Sequence, residues 1–203
     1  ATQVIDCIHT TATSHGRVFI VEVMGHKVGW LNLYAGIAGG ADIILLPEIP
    51  YDINKISEVI DKREASGKRF SILAVAEGAV SVEESMMKKK ELKAARAQLP
   101  YPSISYKIAK ELEEKTGHEI RVTVPGHFQR GGSPCAYDRV LCTRLGAAAA
   151  RLIKNNQYGF MVAIQNNKVV PVPLSEVAGK LKKVPVDCDE ILAAREIGIS
   201  FGD

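Results

Sequence analysis

The sequence Arg-Val-Phe-Ile-Val-Glu-Val-Met, at residues 17–24, is rich in β-branched side chains and almost continuously apolar. Such a run is typical of a strand that is buried on both faces of a parallel sheet. Two further apolar runs of strand length follow at residues 41–48 and 70–77, each after a segment long enough to form a helix. Strands that alternate with helices indicate right-handed βαβ crossovers. The sequence therefore predicts an α/β fold with three layers around a mainly parallel sheet.

The alternation changes after the third predicted strand. Residues 81–98 combine helical propensity with a run of lysines, and a charge run of this kind is usually a solvated helix face. A second helix, at residues 103–116, has apolar side chains at four-residue spacing and is followed by Gly117, a favourable residue at the end of a helix. We therefore predict a helical insertion at about residues 81–117 within the α/β domain.

The last part of the chain continues with shorter elements. A fourth strand is predicted at residues 118–124, a long helix at 137–155 and a further strand at 159–165, while the prolines of 169–173 indicate an edge strand. The predicted domain organisation is a helix at residues 1–16 that continues from an upstream domain, an α/β domain at residues 17–170, and C-terminal helices at residues 171–203.

Composition limits the classes of function. The chain has 203 residues, of which 46% are hydrophobic and 24% charged, as in an ordinary soluble globular protein. The net charge of +3 is too small to indicate binding to nucleic acid or to an anionic membrane surface. No apolar run approaches the roughly 20 residues of a membrane span. The four cysteines form no Cys-x-x-Cys pair and no cluster with histidines, so we predict reduced thiols, no metal site and a cytoplasmic location.

A glycine-rich loop joins the fourth predicted strand to the long helix. Residues 124–134 have the sequence Val-Pro-Gly-His-Phe-Gln-Arg-Gly-Gly-Ser-Pro. Backbone N–H groups and a helix N-terminus favour an anion in such a turn, and Arg130 adds a planar fork of donors. His127 is close enough in sequence to hold the same phosphate. Turn geometry alone would also explain the glycines and prolines, so the other strand ends must decide between these interpretations.

Polar groups accompany the other predicted strands, and ligands of open α/β sheets bind beyond the carboxyl ends of strands. Met24, Gly25 and His26 follow the first strand, Glu77 ends the third, and Arg121 lies within the fourth. One carboxylate with several cations suits a sugar phosphate, because the carboxylate accepts hydroxyl hydrogen bonds while the cations hold the phosphate. Structural ion pairs at Glu77 and Arg121, and a simple turn position for His26, are the alternatives.

Several stretches, in this order, resemble the 6-phosphofructokinase family. They are Ser-His-Gly-Arg at 14–17, Val-Glu-Val-Met-Gly at 21–25, Gly-Ile-Ala-Gly-Gly-Ala-Asp at 36–42, Leu-Pro-Glu at 46–48, Val-Ala-Glu-Gly at 75–78, Gly-His-Phe-Gln-Arg-Gly-Gly-Ser-Pro at 126–134 and Tyr-Asp-Arg at 137–139. The resemblance spans most of the chain and is far more specific than a single glycine-rich motif. It implies a phosphofructokinase-like second domain, extended by the helical insertion, that binds fructose 6-phosphate.

The resemblance also implies roles for individual residues. Met24 and Gly25 correspond to family residues that contact the sugar, and Glu77 corresponds to one that accepts hydrogen bonds from its hydroxyl groups. His127 and Arg130 correspond to residues that bind the sugar or its 6-phosphate. No residue of this chain corresponds to a catalytic residue or to a metal ligand.

Three further positions concern the neighbouring subunit and a departure from the family. Arg121 is implied to bind the substrate, and in the family both Arg17 and Arg121 reach the substrate of a neighbouring subunit, so a homo-oligomer (dimer or tetramer) is implied. His26 stands where the family has an arginine that is associated with stabilising the transferring phosphoryl group. A neutral imidazole carries less charge than a guanidinium. We therefore predict for His26 a contact with the substrate or the transition state that is weaker than that of the family's arginine.

The family's donor site for ATP or pyrophosphate and its catalytic aspartate align upstream of Ala1. Phosphoryl transfer needs a positioned donor, Mg²⁺ and a base for the accepting hydroxyl. We therefore expect the C-terminal, fructose-6-phosphate-binding portion of a 6-phosphofructokinase, and we expect this portion alone to be inactive. The parent enzyme would transfer a phosphoryl group to O1 of fructose 6-phosphate, giving fructose 1,6-bisphosphate in glycolysis, with Mg²⁺. The alternative is a non-catalytic phosphofructokinase-like module for ligand sensing or assembly, which His26 favours.

Overall fold

The computed structural model describes residues 1–12 and 17–203. Residues Ser14, His15 and Gly16 of the motif at 14–17, and the end of the helix predicted for 1–16, lie outside this described part. The helices are α1 (Thr2–Ala12), α2 (Trp30–Ala38), α3 (Ile53–Ala65), α4 (Val82–Ser85), α5 (Lys89–Ala97), α6 (Ile104–Thr116), α7 (Ala136–Lys154), α8 (Leu174–Val177) and α9 (Asp189–Glu196). The strands are β1 (Val18–Val23), β2 (Ile43–Leu45), β3 (Ser71–Ala76), β4 (Ile120–Thr123), β5 (Phe160–Gln165) and β6 (Lys168–Pro173).

Strands β1 to β4 form a parallel sheet in the order β2-β3-β1-β4. In β1, Val18 pairs with Ser71 of β3 on one side and with Ile120 of β4 on the other. β2 extends the sheet beyond β3, where Ile43 pairs with Leu73. Because these strands run in the same direction, their carboxyl ends lie at one edge. The predicted α/β fold with a mainly parallel sheet is confirmed.

The side chains of β1 alternate between two hydrophobic cores, one on each face of the sheet, as the two-residue period of a strand requires. Val21 and Val23 belong to the core beneath α1, α2 and α9. Val18 and Ile20 belong to the core beneath α3 and α6. Burial of one aliphatic side chain stabilises the fold by about 1.5–3 kcal/mol. The near-continuous apolar runs of the sequence are therefore explained by helices that cover both faces.

The basic segment at residues 81–98 forms two helices, α4 and α5, rather than one. Ser81 caps α4, because its Oγ accepts the N–H of Glu84 at 3.2 Å while Glu84 Oε2 accepts the N–H of Ser81 at 3.2 Å. The Glu84 carboxylate, 8% exposed, also binds Arg96 of α5 at 2.8 Å and Lys107 of α6 at 3.2 Å. None of the residues of α5, all of which the structure describes, is fully buried. The predicted solvated helix face is therefore present, and the salt bridge from Arg96 to Glu84 joins α5 to α4.

The described residues divide into two compact units, residues 1–129 with 183–203, and residues 130–182. The first unit contains the parallel sheet, and its C-terminal segment returns to that sheet, where the N–H of Ile44 donates to the carbonyl of Ser200 at 2.8 Å. The domain boundaries that the sequence predicts, after residues 16 and 170, stay a prediction.

The second unit consists of α7, α8 and an antiparallel hairpin of β5 and β6. The hairpin turn is Asn166-Asn167, with φ of 50° and 61°. Asparagine tolerates this left-handed conformation, which a two-residue type I′ turn requires. The proline-containing segment that the sequence predicts as an edge strand is β6 of this hairpin.

Candidate functional site

The loops after β1 and β3 lie side by side at the carboxyl edge of the parallel sheet. Val23 and Ala76, the last residues of these strands, are paired across the sheet. Met24 and Glu77 follow them directly, and the N–H of Glu77 donates to the carbonyl of Val23 at 2.9 Å. The structure therefore brings together the predicted site residues from the first and third strands, 53 positions apart in sequence.

Glu77 holds the backbone of the loop after β1. Its Oε1 accepts hydrogen bonds from the N–H of Gly25 at 3.1 Å and from the N–H of His26 at 2.5 Å. Hydrogen bonds to a carboxylate are among the stronger ones in proteins. The sequence predicts a sugar ligand or an ion pair for Glu77 and not this role, because a side chain that accepts hydrogen bonds from distant backbone N–H groups leaves no pattern in the sequence.

The loop has a strained, closely packed backbone. Gly25 has a φ of 156°, and His26 has a φ of 55°, in the left-handed region where histidine is more common than most residues. The carbonyl of His26 lies against Gly78, where a Cβ would come within 2.0 Å of that oxygen. Glycine at position 78 is therefore required by the close approach of the loop, and the loop conformation is fixed from two sides.

Gln129 connects the same loop to the turn that carries His127. The segment Gly126–Arg130 forms a 3₁₀ helix, which we call the 3₁₀ turn. The N–H of Met24 donates to Gln129 Oε1 at 3.1 Å, and Gln129 Nε2 donates to the carbonyl of Gly126 at 3.3 Å. No sequence pattern predicts this role for Gln129, although the residue lies within the motif between His127 and Arg130.

The two predicted cations of the motif are both solvent-exposed. His127 lies in the 3₁₀ turn within the first compact unit, and Arg130 ends the turn as the first residue of the second unit. An exposed imidazole and an exposed guanidinium are accessible to an anion.

Arg17 and Arg121 lie at the other end of the parallel sheet. Arg17 directly precedes β1, and Arg121 is the second residue of β4, paired with Phe19. Both arginines form salt bridges with the carboxylate of Glu119, Arg17 through Nε at 2.6 Å and Arg121 through Nη2. Met24 is seven positions beyond Arg17 in the sequence, about 23 Å along an extended strand. The structure therefore separates these two arginines from the loop that Glu77 holds.

A second cluster of charged groups surrounds a cavity of about 330 Å³ at the helical insertion. Burial alone would raise the pKa of Glu84, but the hydrogen bond and charge of Arg96 outweigh it, so that the pKa of Glu84 is lowered. Burial raises the pKa of Glu111 despite the neighbouring Lys107. Tyr51 is fully buried beside this cluster, and burial raises the pKa of its phenol.

Within residues 1–12 and 17–203, no three His, Cys, Asp or Glu side chains are grouped so that they could hold a metal ion. In that same part of the chain, no helix is both long enough and apolar enough to cross a membrane.

Comparison with known proteins supports the motif resemblance directly. A family model described as PFK, phosphofructokinase, matches residues 1–153, three quarters of the chain. The chain belongs to the phosphofructokinase family. The matched residues include the loop after β1, Glu77 and the 3₁₀ turn.

Individual relatives agree with the family match. An ATP-dependent 6-phosphofructokinase of Spirochaeta thermophila is 55% identical over 203 residues, which are 100% of this chain and 56% of that protein. The crystal structure of Pichia pastoris phosphofructokinase in the T-state has a TM-score of 0.66 and 35% identity, and covers 86% of this chain and 19% of that chain. A pyrophosphate-dependent phosphofructokinase from Nitrosospira multiformis has a TM-score of 0.72, 20% identity, and covers 100% of this chain and 53% of that chain, a likeness of fold alone. The chain spans about half the length of the curated relatives it matches.

Proposed function

We propose that this chain is the fructose-6-phosphate-binding portion of a 6-phosphofructokinase. The whole enzyme would transfer a phosphoryl group from ATP or pyrophosphate to O1 of fructose 6-phosphate. The observation that carries the proposal is the loop after β1, held by Glu77 and Gln129 next to the turn with His127. The names of the similar relatives, ATP-dependent 6-phosphofructokinases, favour ATP as the donor.

The proposed sugar contacts come from the carboxyl edge of the sheet. Both hydrogen bonds that Glu77 accepts within the described residues end on Oε1. Its Oε2 can therefore accept a hydrogen bond from a sugar hydroxyl while Oε1 holds the loop. Met24 and Gly25 contact the sugar from the loop that Glu77 fixes, and His26 at its exposed tip contacts the substrate or the transition state.

The proposed phosphate contacts are His127 and Arg130. A guanidinium offers two parallel donors to a phosphate, and an imidazole offers one or two depending on its protonation. Both side chains are exposed and three positions apart in the 3₁₀ turn.

Arg17 and Arg121 are proposed to serve the site of a second copy of this chain. Along β1, Arg17 is about 23 Å from the loop at Met24 at an extended rise per residue. Glu119 binds both arginines and keeps their guanidinium groups near each other at the amino end of the sheet. An anion shared between copies would therefore meet a preassembled pair of cations, and this supports a homo-oligomer.

Mg²⁺ belongs to the proposed chemistry of the whole enzyme, where it would neutralise charge on the transferring phosphate. We assign its ligands to the donor-binding part of that enzyme and none to this chain. What the residues of this chain do is bind the acceptor sugar, orient it and hold its 6-phosphate.

Isothermal titration of the 203-residue chain with fructose 6-phosphate tests the site. We expect His127→Ala and Arg130→Ala each to weaken binding by about ten-fold or more, the effect of losing one charge-assisted hydrogen bond. Arg151→Ala, an exposed arginine on α7, is the matched control and should bind as the wild type does. Equal affinity in all four proteins would remove the site assignment.

The expectation that these 203 residues alone do not transfer a phosphoryl group is part of the same proposal. A coupled assay for fructose 1,6-bisphosphate, with ATP and separately with pyrophosphate, tests it. Sustained turnover by the purified chain would contradict the proposal that this chain binds the acceptor while the rest of the enzyme supplies the donor site and the catalytic base.

A non-catalytic phosphofructokinase-like module for ligand sensing or assembly is the second candidate. The observation that favours it is His26, an exposed imidazole where the family carries an arginine. The full-length gene product separates the two candidates, since only an enzyme forms fructose 1,6-bisphosphate. Tight binding of fructose 6-phosphate without turnover in that product would favour the sensing module.

A further inference from the structure

We propose that Gln129 is a positioning residue that fixes the sugar-contacting loop to the turn carrying His127. The inference rests on the proposed function, because it concerns the same site. Gln129 itself need not touch the ligand, since its effect is exerted through the backbone of Met24.

The geometry uses both ends of the Gln129 amide. Oε1 accepts the N–H of Met24 at 3.1 Å, and Nε2 donates to the carbonyl of Gly126 at 3.3 Å. A primary amide is the side-chain group that offers an acceptor and a donor on one rigid plane. The donor bond holds the side chain against its own turn, so the acceptor is presented in a defined direction. The link joins segments that are 105 residues apart.

Side chains accept the backbone N–H groups at the start of the loop. The N–H groups of Met24, Gly25 and His26 all donate to side-chain oxygens, the first to Gln129 and the other two to Glu77. Glu77 follows β3 and Gln129 belongs to the 3₁₀ turn, so the loop is held from two directions. Without Gln129, the N–H of Met24 would lose its acceptor, and the first residue of the loop would be free to move relative to the turn.

The link sets the spacing between the proposed sugar contacts and the proposed phosphate contact in the first compact unit. Met24 is on one side of the hydrogen bond, and His127 is two residues from Gln129 on the other side. A phosphosugar must reach both at once, so its affinity depends on that spacing being held before it binds. Misplacement of contact groups by about 1 Å is enough to reduce the activity of a site strongly.

The test uses three variants of the full 203-residue chain. Gln129→Met keeps the length of the side chain and removes both hydrogen bonds. Gln129→Glu keeps an acceptor for the N–H of Met24 and removes the donor to Gly126. Gln98→Met, at the exposed end of α5, makes the same chemical change away from the site.

Two measurements are made on each variant: hydrogen exchange of the Met24 amide, and titration with fructose 6-phosphate. We expect Gln129→Met to speed exchange at Met24 and to weaken binding, each by about five- to ten-fold, as for loss of one hydrogen bond. Gln129→Glu should fall between Gln129→Met and the wild type in both measurements. Gln98→Met should match the wild type.

The outcomes separate this inference from the proposed function. Unchanged exchange at Met24 in Gln129→Met, or faster exchange with unchanged affinity, overturns the positioning role. If the wild-type chain does not bind fructose 6-phosphate, the proposed function fails, while exchange at Met24 still reports whether Gln129 holds the loop. If Gln129→Met does not fold, Gln129→Glu carries the test: faster exchange at Met24 than in the wild type supports the positioning role, and unchanged exchange overturns it.

Discussion

Replacement of Glu77 tests the hydrogen bonds that hold the loop after β1. In Glu77→Met, the N–H groups of Gly25 and His26 lose their carboxylate acceptor. Hydrogen bonds to charged groups contribute about 1.5–3 kcal/mol each, so two of them set an upper bound of about 3–6 kcal/mol. Because the loop is partly exposed and water can replace the carboxylate in part, we expect a loss of about 2–3 kcal/mol in the free energy of unfolding.

Glu77→Gln separates charge from geometry. Its amide oxygen can accept the same N–H groups, but neutral hydrogen bonds contribute only about 0.5–1.5 kcal/mol each. We therefore expect about half of the loss seen in Glu77→Met. The control is Glu58→Gln, because Glu58 is 67% exposed and its ion pair with Lys55 is 3.5 Å long. Exposed pairs of this kind contribute about 0–1 kcal/mol.

Urea denaturation followed by circular dichroism measures these differences in the free energy of unfolding. An unchanged m value, the slope of that free energy against urea concentration, shows that the variants unfold in similar transitions. In thermal unfolding, a loss of 1 kcal/mol lowers the Tm of a chain of this size by about 2–4 °C. Glu77→Met should therefore melt about 5–10 °C below the wild type. A loss no larger than that of Glu58→Gln would refute the conclusion that Glu77 holds the loop.

Further predictions concern the close contact at Gly78 and the charge at Glu84. Gly78→Ala places a Cβ 2.0 Å from the carbonyl oxygen of His26 and should lower the free energy of unfolding by more than about 2 kcal/mol. Gly146→Ala is the control, because a Cβ at this position of α7 has nothing within 4 Å, and it should raise the free energy of unfolding by about 0.5–1 kcal/mol. Urea denaturation measures both variants, and equal effects would contradict the close contact at Gly78. The pKa of Glu84 is lowered in the folded chain, so its contribution is present above the usual carboxylate range and lost as the pH falls through the folded value. Melting curves from pH 7 to about pH 3 should therefore show Glu84→Gln losing less stability on acidification than the wild type, and parallel curves would refute this.

The fold was predictable because its cause is local and repeated. The run at residues 17–24 is apolar at successive positions, and only a strand covered on both faces buries such a run. Cap residues are equally local: Asp52 accepts the N–H of Asn54 at 2.8 Å at the start of α3. Gly117, predicted to end the second helix of the insertion, ends α6 in the left-handed conformation.

The insertion shows where local pattern is insufficient. A run of basic side chains predicts a solvated face, and α5 has one. The same pattern does not distinguish Arg96 from its basic neighbours, although Arg96 binds the buried carboxylate of Glu84. That difference depends on which side of α5 faces α4 and α6, a property of packing.

The amino-acid sequence alone showed which strands are followed by polar groups: polar residues follow β1 and β3, and a turn with two cationic side chains follows β4. The motifs that contain these residues were specific enough to indicate the phosphofructokinase family. Only the tertiary structure decided which of these groups meet. Parallel pairing of β1 with β3 brings Glu77 to the loop at Met24, while Arg17 and Arg121 lie at the opposite end with Glu119. The physical reason is that residue type specifies what a side chain can bind, whereas strand direction and register specify where it is.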